Sequence, residues 1–184
     1  MNRRTLLAST TTAFVGIVTG CLDGSPLGGS DQDGWDPSTV GCHGESRPKP
    51  SEPETDEAVS PLEYPDLLDT TSDEELVAYV EAFEEAYVRN EYVRVHRDDL
   101  TFFRLFTGEA SVVASGDEWA VVRLTYQYTD GLGSDEDEAV GSSDEFVAKY
   151  AITTQWVRRT VDEGRNADPP DPRESGTFVA CFGE

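Results

Sequence analysis

From Ser72 onward, apolar residues recur at three- and four-residue steps: Leu76, Val80, Phe83 and Tyr87, with Tyr79 and Ala86 beside them. That spacing predicts one apolar face of a helix running from Asp73 to about Val93. Ser72 and Glu75 stand in the S-x-x-E relation of a capping box, and Asp73, Glu74 and Glu75 suit the positive end of a helix dipole. Glu81, Glu84, Glu85 and Arg89 fall to the other faces in this reading. Beyond the helix the period changes to that of strands. Leu100–Phe106 and Ala110–Ser115 read as two strands interrupted by Gly108. Gly116-Asp117 is a two-residue hairpin signal. Trp119 to Thr129 alternates most clearly. Ala120, Val122, Leu124, Tyr126 and Tyr128 form the expected core face, because the opposite set carries Arg123 and Gln127. Phe146–Ile152, Trp156–Val161 and Thr177–Phe182 complete the strands, with a break at Thr153-Thr154-Gln155. One helix followed by five to six consecutive strands predicts an α+β domain: an N-terminal helix packed on a curved antiparallel meander sheet.

The first seventy residues follow neither period. Arg3-Arg4 is followed by a weakly apolar stretch from Leu6 to Gly20 and then by Val18-Thr19-Gly20-Cys21. This is the layout of an export signal. It resembles a twin-arginine (Tat) signal joined to a lipobox, and that resemblance implies cleavage before Cys21 and a lipid on its thiol. An uncleaved transmembrane anchor is the rival, but 15 residues fall short of the ~20 that span a bilayer. Residues 1–20 are thus expected to be a signal peptide, and 72–184 the folded domain. Between them, residues 21–71 read as the lipidated cysteine and a disordered linker. Residues 22–71 hold seven of the chain's ten prolines, from Pro26 to Pro65, with glycine, serine and acids between.

Cys42 and Cys181 remain once Cys21 is lipidated. An even pair outside the cell suggests a disulfide. Free thiols, or a metal held by Cys42 and the adjacent His43, are the alternatives; no zinc spacing accompanies that dipeptide.

Charge sharpens the picture. The chain of 184 residues carries 37 acidic and 14 basic side chains, a net −23, and its only lysines are Lys49 and Lys149. Loss of Arg3 and Arg4 with the signal takes the charge from −23 to −25. This composition resembles proteins of extreme halophiles, in which strong salt screens self-repulsion. A surface built to capture cations or a basic partner is the alternative. Nucleic acid is excluded as a partner, since the chain would repel phosphates.

The order of elements resembles cystatin-like and nuclear-transport-factor-2-like domains over residues 72–184. The Glu85-Ala86-Tyr87-x-x-Asn90 helix end and the Asp171-Pro172-Arg173-x-x-Gly176 segment before Cys181 resemble small haloarchaeal lipoproteins of unassigned function. That likeness implies a location and a fold, and no activity.

Chemistry-bearing residues are sparse. No nucleophile elbow, phosphate loop or zinc motif occurs, so no catalytic residue, metal or cofactor is assigned. His96 with Asp98 or Asp99 is the one base-and-orienter candidate; a surface histidine at a helix C-terminus is the plainer reading. Asp135-Glu136-Asp137-Glu138 offers hard oxygen ligands or a solvated loop. Trp119, Tyr126, Tyr128, Tyr150 and Trp156 are expected to line the sheet, as core or as pocket wall. Arg123, Arg158 and Arg159 are expected to point off it. The leading expectation is an extracytoplasmic, lipid-anchored, non-catalytic binding domain for an envelope protein or small ligand. The alternatives are a small hydrolase or isomerase-type enzyme with His96 in a pocket, and a purely structural envelope component.

Overall fold

The computed structural model describes residues 35–66, 72–133 and 139–182. The export signal, Arg3, Arg4, Cys21 and the Asp135–Glu138 loop lie outside the described residues.

Helix α1 spans Asp73–His96. The Ser72 hydroxyl accepts from the Glu75 amide and also donates to the Glu75 carboxylate, so the S-x-x-E pair caps the helix. The strands are β1 (Leu100–Gly116), β2 (Trp119–Leu132), β3 (Ala139–Ser142), β4 (Phe146–Thr153), β5 (Trp156–Glu163) and β6 (Thr177–Cys181), with a four-residue helix α2 (Pro172–Ser175) before β6. They form one curved antiparallel sheet in the order β1-β2-β4-β5-β6. β3 pairs with Thr129–Leu132 of β2, beyond the point where β4 ends on the same edge. The α+β expectation holds.

Two expected boundaries move. β1 is a single strand of 17 residues, because bulges between Thr107 and Ala110 and between Val112 and Ala114 absorb Gly108 without breaking the strand. The helix continues three residues past Val93 and ends at Arg97, whose φ of 26° puts it alone among the described non-glycine residues in the left-handed half of the map.

Helix α1 lies on the inner face of the sheet. Leu76, Val80, Phe83 and Val93 bury against Val122, Leu124, Ala148, Tyr150 and Val157. The core face expected for β2 is the inner face. The outer face holds a second, smaller cluster of Trp119, Val121, Ala151 and Trp156.

That second cluster is covered by a segment expected to be disordered. Residues 35–66 carry no regular element beyond one 3-10 turn at Pro37–Thr39, yet they form a strap around the domain. Trp35 meets Trp119 and Trp156 edge-on, at 5.5 and 5.7 Å between ring centroids. Cys42 is disulfide-bonded to Cys181 on β6. The strap then crosses to the helix side. There the buried Asn90 side chain clasps Leu62, accepting from its amide and donating to its carbonyl, both at 2.8 Å. Arg89 donates to the Ser60 carbonyl, Val59 donates to the Leu100 carbonyl, and Tyr64 packs on Phe83. Composition hides this because a few anchors suffice: one tryptophan, one covalent bond and one amide clasp satisfy a chain otherwise rich in proline. The second proline-rich segment is held likewise. Lys149 donates to the Pro169 carbonyl and Thr160 to the Pro170 carbonyl.

Candidate functional site

Glu84, expected on another face of the helix, is instead on the buried column of Leu76 and Val80, four residues further on. Glu84 is fully buried, at 0 % exposure. It faces Arg159 of β5, which accompanies Tyr150 of β4 in cross-strand register. Arg159 grips the carboxylate with two bonds, Nε to Oε2 at 2.9 Å and Nη2 to Oε1 at 2.6 Å. Tyr150 donates its hydroxyl to Oε2 of the same carboxylate. Arg159 Nη2 also donates to the Tyr126 hydroxyl at 3.2 Å, and its guanidinium lies 4.6 Å from the Tyr87 ring centre.

The electrostatics follow from burial. Burial pushes the Tyr150 hydroxyl well above the usual phenol range, and the adjacent Glu84 carboxylate pushes it the same way. Tyr126 is raised for the same two reasons. Burial works against the charge on Arg159, but Glu84 outweighs it and holds the guanidinium protonated. Both carboxylate oxygens are thus occupied by donors of the chain itself. The cluster closes the inner face chemically.

This corrects two expectations. Arg159 does not point off the sheet: it faces inward, while its neighbour Arg158 faces outward over Phe178 at 4.3 Å, because successive strand residues alternate faces. The five aromatic residues are core rather than the wall of one pocket, and they divide between the two faces. Tyr126, Tyr128 and Tyr150 are on the inner face with the helix, and Trp119 and Trp156 are on the outer face under Trp35. Arg123 sits half-exposed on the outer face, opposite Lys149.

His96 is half-exposed at the end of α1, and its ring lies 5.6 Å from that of Tyr92. The Asp98 carboxylate accepts from the Glu54 amide of the strap at 2.8 Å, and Asp99 is exposed. His43 is exposed on the strap, and Cys42 beside it is committed to the disulfide. No group of three histidine, cysteine or acidic side chains among the described residues is placed to hold a metal ion. Two open clefts lie elsewhere. One of about 530 Å³ is lined by Gln127, Asp144, Glu145, Glu163, Gly164 and Arg165. The other, of about 180 Å³, lies between the strap prolines, Tyr64 and Asn90. Neither is lined by His96 or Glu84.

The remaining unusual surface is apolar. Phe102, Gly131 and Val140 stand side by side on three adjacent strands and share the outer face. Phe102 is 41 % exposed, Phe106 45 % and Val140 72 %. Arg104 lies between the two phenylalanines, its guanidinium 4.9 Å from the Phe106 ring centre. The strap and the Pro169–Ser175 segment lie over the opposite end of this outer face, and none of the described residues covers the β1–β3 end. No family model, no curated protein and no solved structure matches the chain.

Proposed function

We propose that this chain is an extracytoplasmic lipoprotein, held to the membrane through Cys21, whose folded body is a non-catalytic interaction domain. Its contact surface is the outer face at the β1–β3 end, around Phe102, Phe106 and Val140. The observation that carries this reading is the contrast between the two faces. On the inner face every oxygen of Glu84 is already bonded within the chain, whereas three large apolar side chains stand exposed on the outer face. A contiguous exposed apolar patch rimmed by polar residues marks a contact surface. The membrane attachment is supported by the Arg3-Arg4 and Cys21 pattern, and the halophilic surface by the −23 charge.

A photoactivatable phenylalanine analogue at position 102, introduced in cells, tests the surface. Crosslinks from position 102 to a protein of the membrane fraction are expected, with none from Thr160, which bonds to the Pro169–Ser175 segment. The reverse pattern would contradict it.

A further inference from the structure

β1 forms one edge of the sheet: among the described residues it pairs with no strand but β2 along its 17 residues, and its other edge meets the strap only at Leu100, whose carbonyl accepts from Val59. Strands usually run about 5–6 residues, and an unpaired edge of this length is a ready template for another strand. Its register supplies a more specific feature. Thr107 faces Tyr126 and Ala110 faces Leu124, so Gly108 and Glu109 together oppose Thr125. Counted in rungs, Arg104 and Glu109 therefore lie at equal distances on either side of Phe106. Thr129, Gln127 and Thr125, the residues opposite these three positions, belong to the outer face. Arg104 and Glu109 are the only charged residues in β1, they are opposite in sign, and neither makes an ion pair among the described residues. A strand with a plus and a minus placed symmetrically about an exposed aromatic is complementary to itself in antiparallel pairing. It is also electrically neutral in a chain of net −23, so it is where two copies approach with least repulsion.

We propose that a second copy of this chain docks on β1 edge to edge, antiparallel, with Phe106 on the twofold axis. Each Arg104 then faces the partner's Glu109, and Phe106 faces the partner's Phe106. A twofold interface of this kind uses the same patch on both subunits. The proposal rests on the outer-face reading above and names its partner.

The test is sedimentation equilibrium of the full-length protein in density-matched detergent and molar salt. A dimer mass is expected. Arg104→Glu sets like charges opposite each other, and Glu109→Arg does the same with the other sign. Each single variant is expected to weaken the dimer severalfold, the molar salt screening part of the repulsion. The double swap, Arg104→Glu with Glu109→Arg, restores opposite charges and is expected to return the dimer to near its original strength. Phe106→Cys is expected to form a disulfide-linked dimer on oxidation. Both charged side chains are exposed, and unchanged circular dichroism of the single variants confirms that they fold. A monomer at all concentrations, or a dimer indifferent to both single swaps, overturns the proposal. Crosslinking from position 102 to a different protein, in a chain that sediments as a monomer, would sink the self-association alone and leave the interaction surface standing.

Discussion

Glu84 on the helix and Arg159 on β5 form a doubly bonded ion pair in the middle of the core, 75 residues apart in the chain. Such a pair costs desolvation that its own attraction roughly repays, so it contributes little net stability but tolerates no half-removal. Glu84→Gln leaves Arg159 as an uncompensated buried charge and is expected to cost about 3–5 kcal/mol. Replacing both residues with methionine is expected to recover most of that loss. Urea midpoints at fixed salt measure the cycle. A single variant within about 1 kcal/mol of the parent, the range of an exposed pair, would show that the cluster is not closed to water.

The cluster also fixes a response to alkali. Burial raises Tyr126 and Tyr150 above their ordinary value, and raises Tyr64 and Tyr79 to about 12. A group whose folded value is raised contributes stability that is complete below the unfolded value, about pH 10, and is lost as pH rises through the folded value. Tyrosinate absorbance is therefore expected to lag at pH 10 and to rise steeply when the protein unfolds at higher pH. Titration of most of the seven tyrosines near pH 10 in the folded protein would contradict the burial.

Much of this architecture is legible in the sequence. The Ser72 cap of the helix, the inner face of β2 and the break at Thr153–Gln155 follow from local spacing, and the fold has all three. The pairing of Cys42 with Cys181 is legible once Cys21 is set aside for the lipid, as the even pair that remains. Glu84 is harder to read, although its position four residues after Val80 is a signal: a carboxylate on an apolar column needs a buried cation. Identifying that cation requires the register of β5, which sequence spacing cannot supply across 75 residues. The strap is hidden for a different reason. Its composition is that of a linker, and its order comes from tertiary anchors, Trp35, Cys42 and the Asn90 clasp, rather than from any periodicity.

The disulfide holds that strap. Cys42 and Cys181 close a separation of 139 residues, for which chain entropy predicts roughly 4–5 kcal/mol of stabilisation. Reduction is expected to lower the melting midpoint and to shift tryptophan emission to the red, as Trp35 leaves Trp119 and Trp156. All three tryptophans of the chain sit in this one cluster, so emission reads it directly. Unchanged emission after complete reduction would place the strap's hold elsewhere.

Salt sets the remaining term. A net charge of −23 loses its screening when molar salt is replaced by dilute buffer. The domain is expected to loosen or unfold on desalting and to recover when salt returns. A circular dichroism spectrum indifferent to desalting would remove the halophilic reading.

Display of the folded body outside the cell, on a lipid, is tested most directly by intact-mass measurement of the protein extracted from membranes. A mature chain beginning at Cys21 and carrying acyl mass is expected. A soluble, unacylated chain that still begins at Met1 would contradict it.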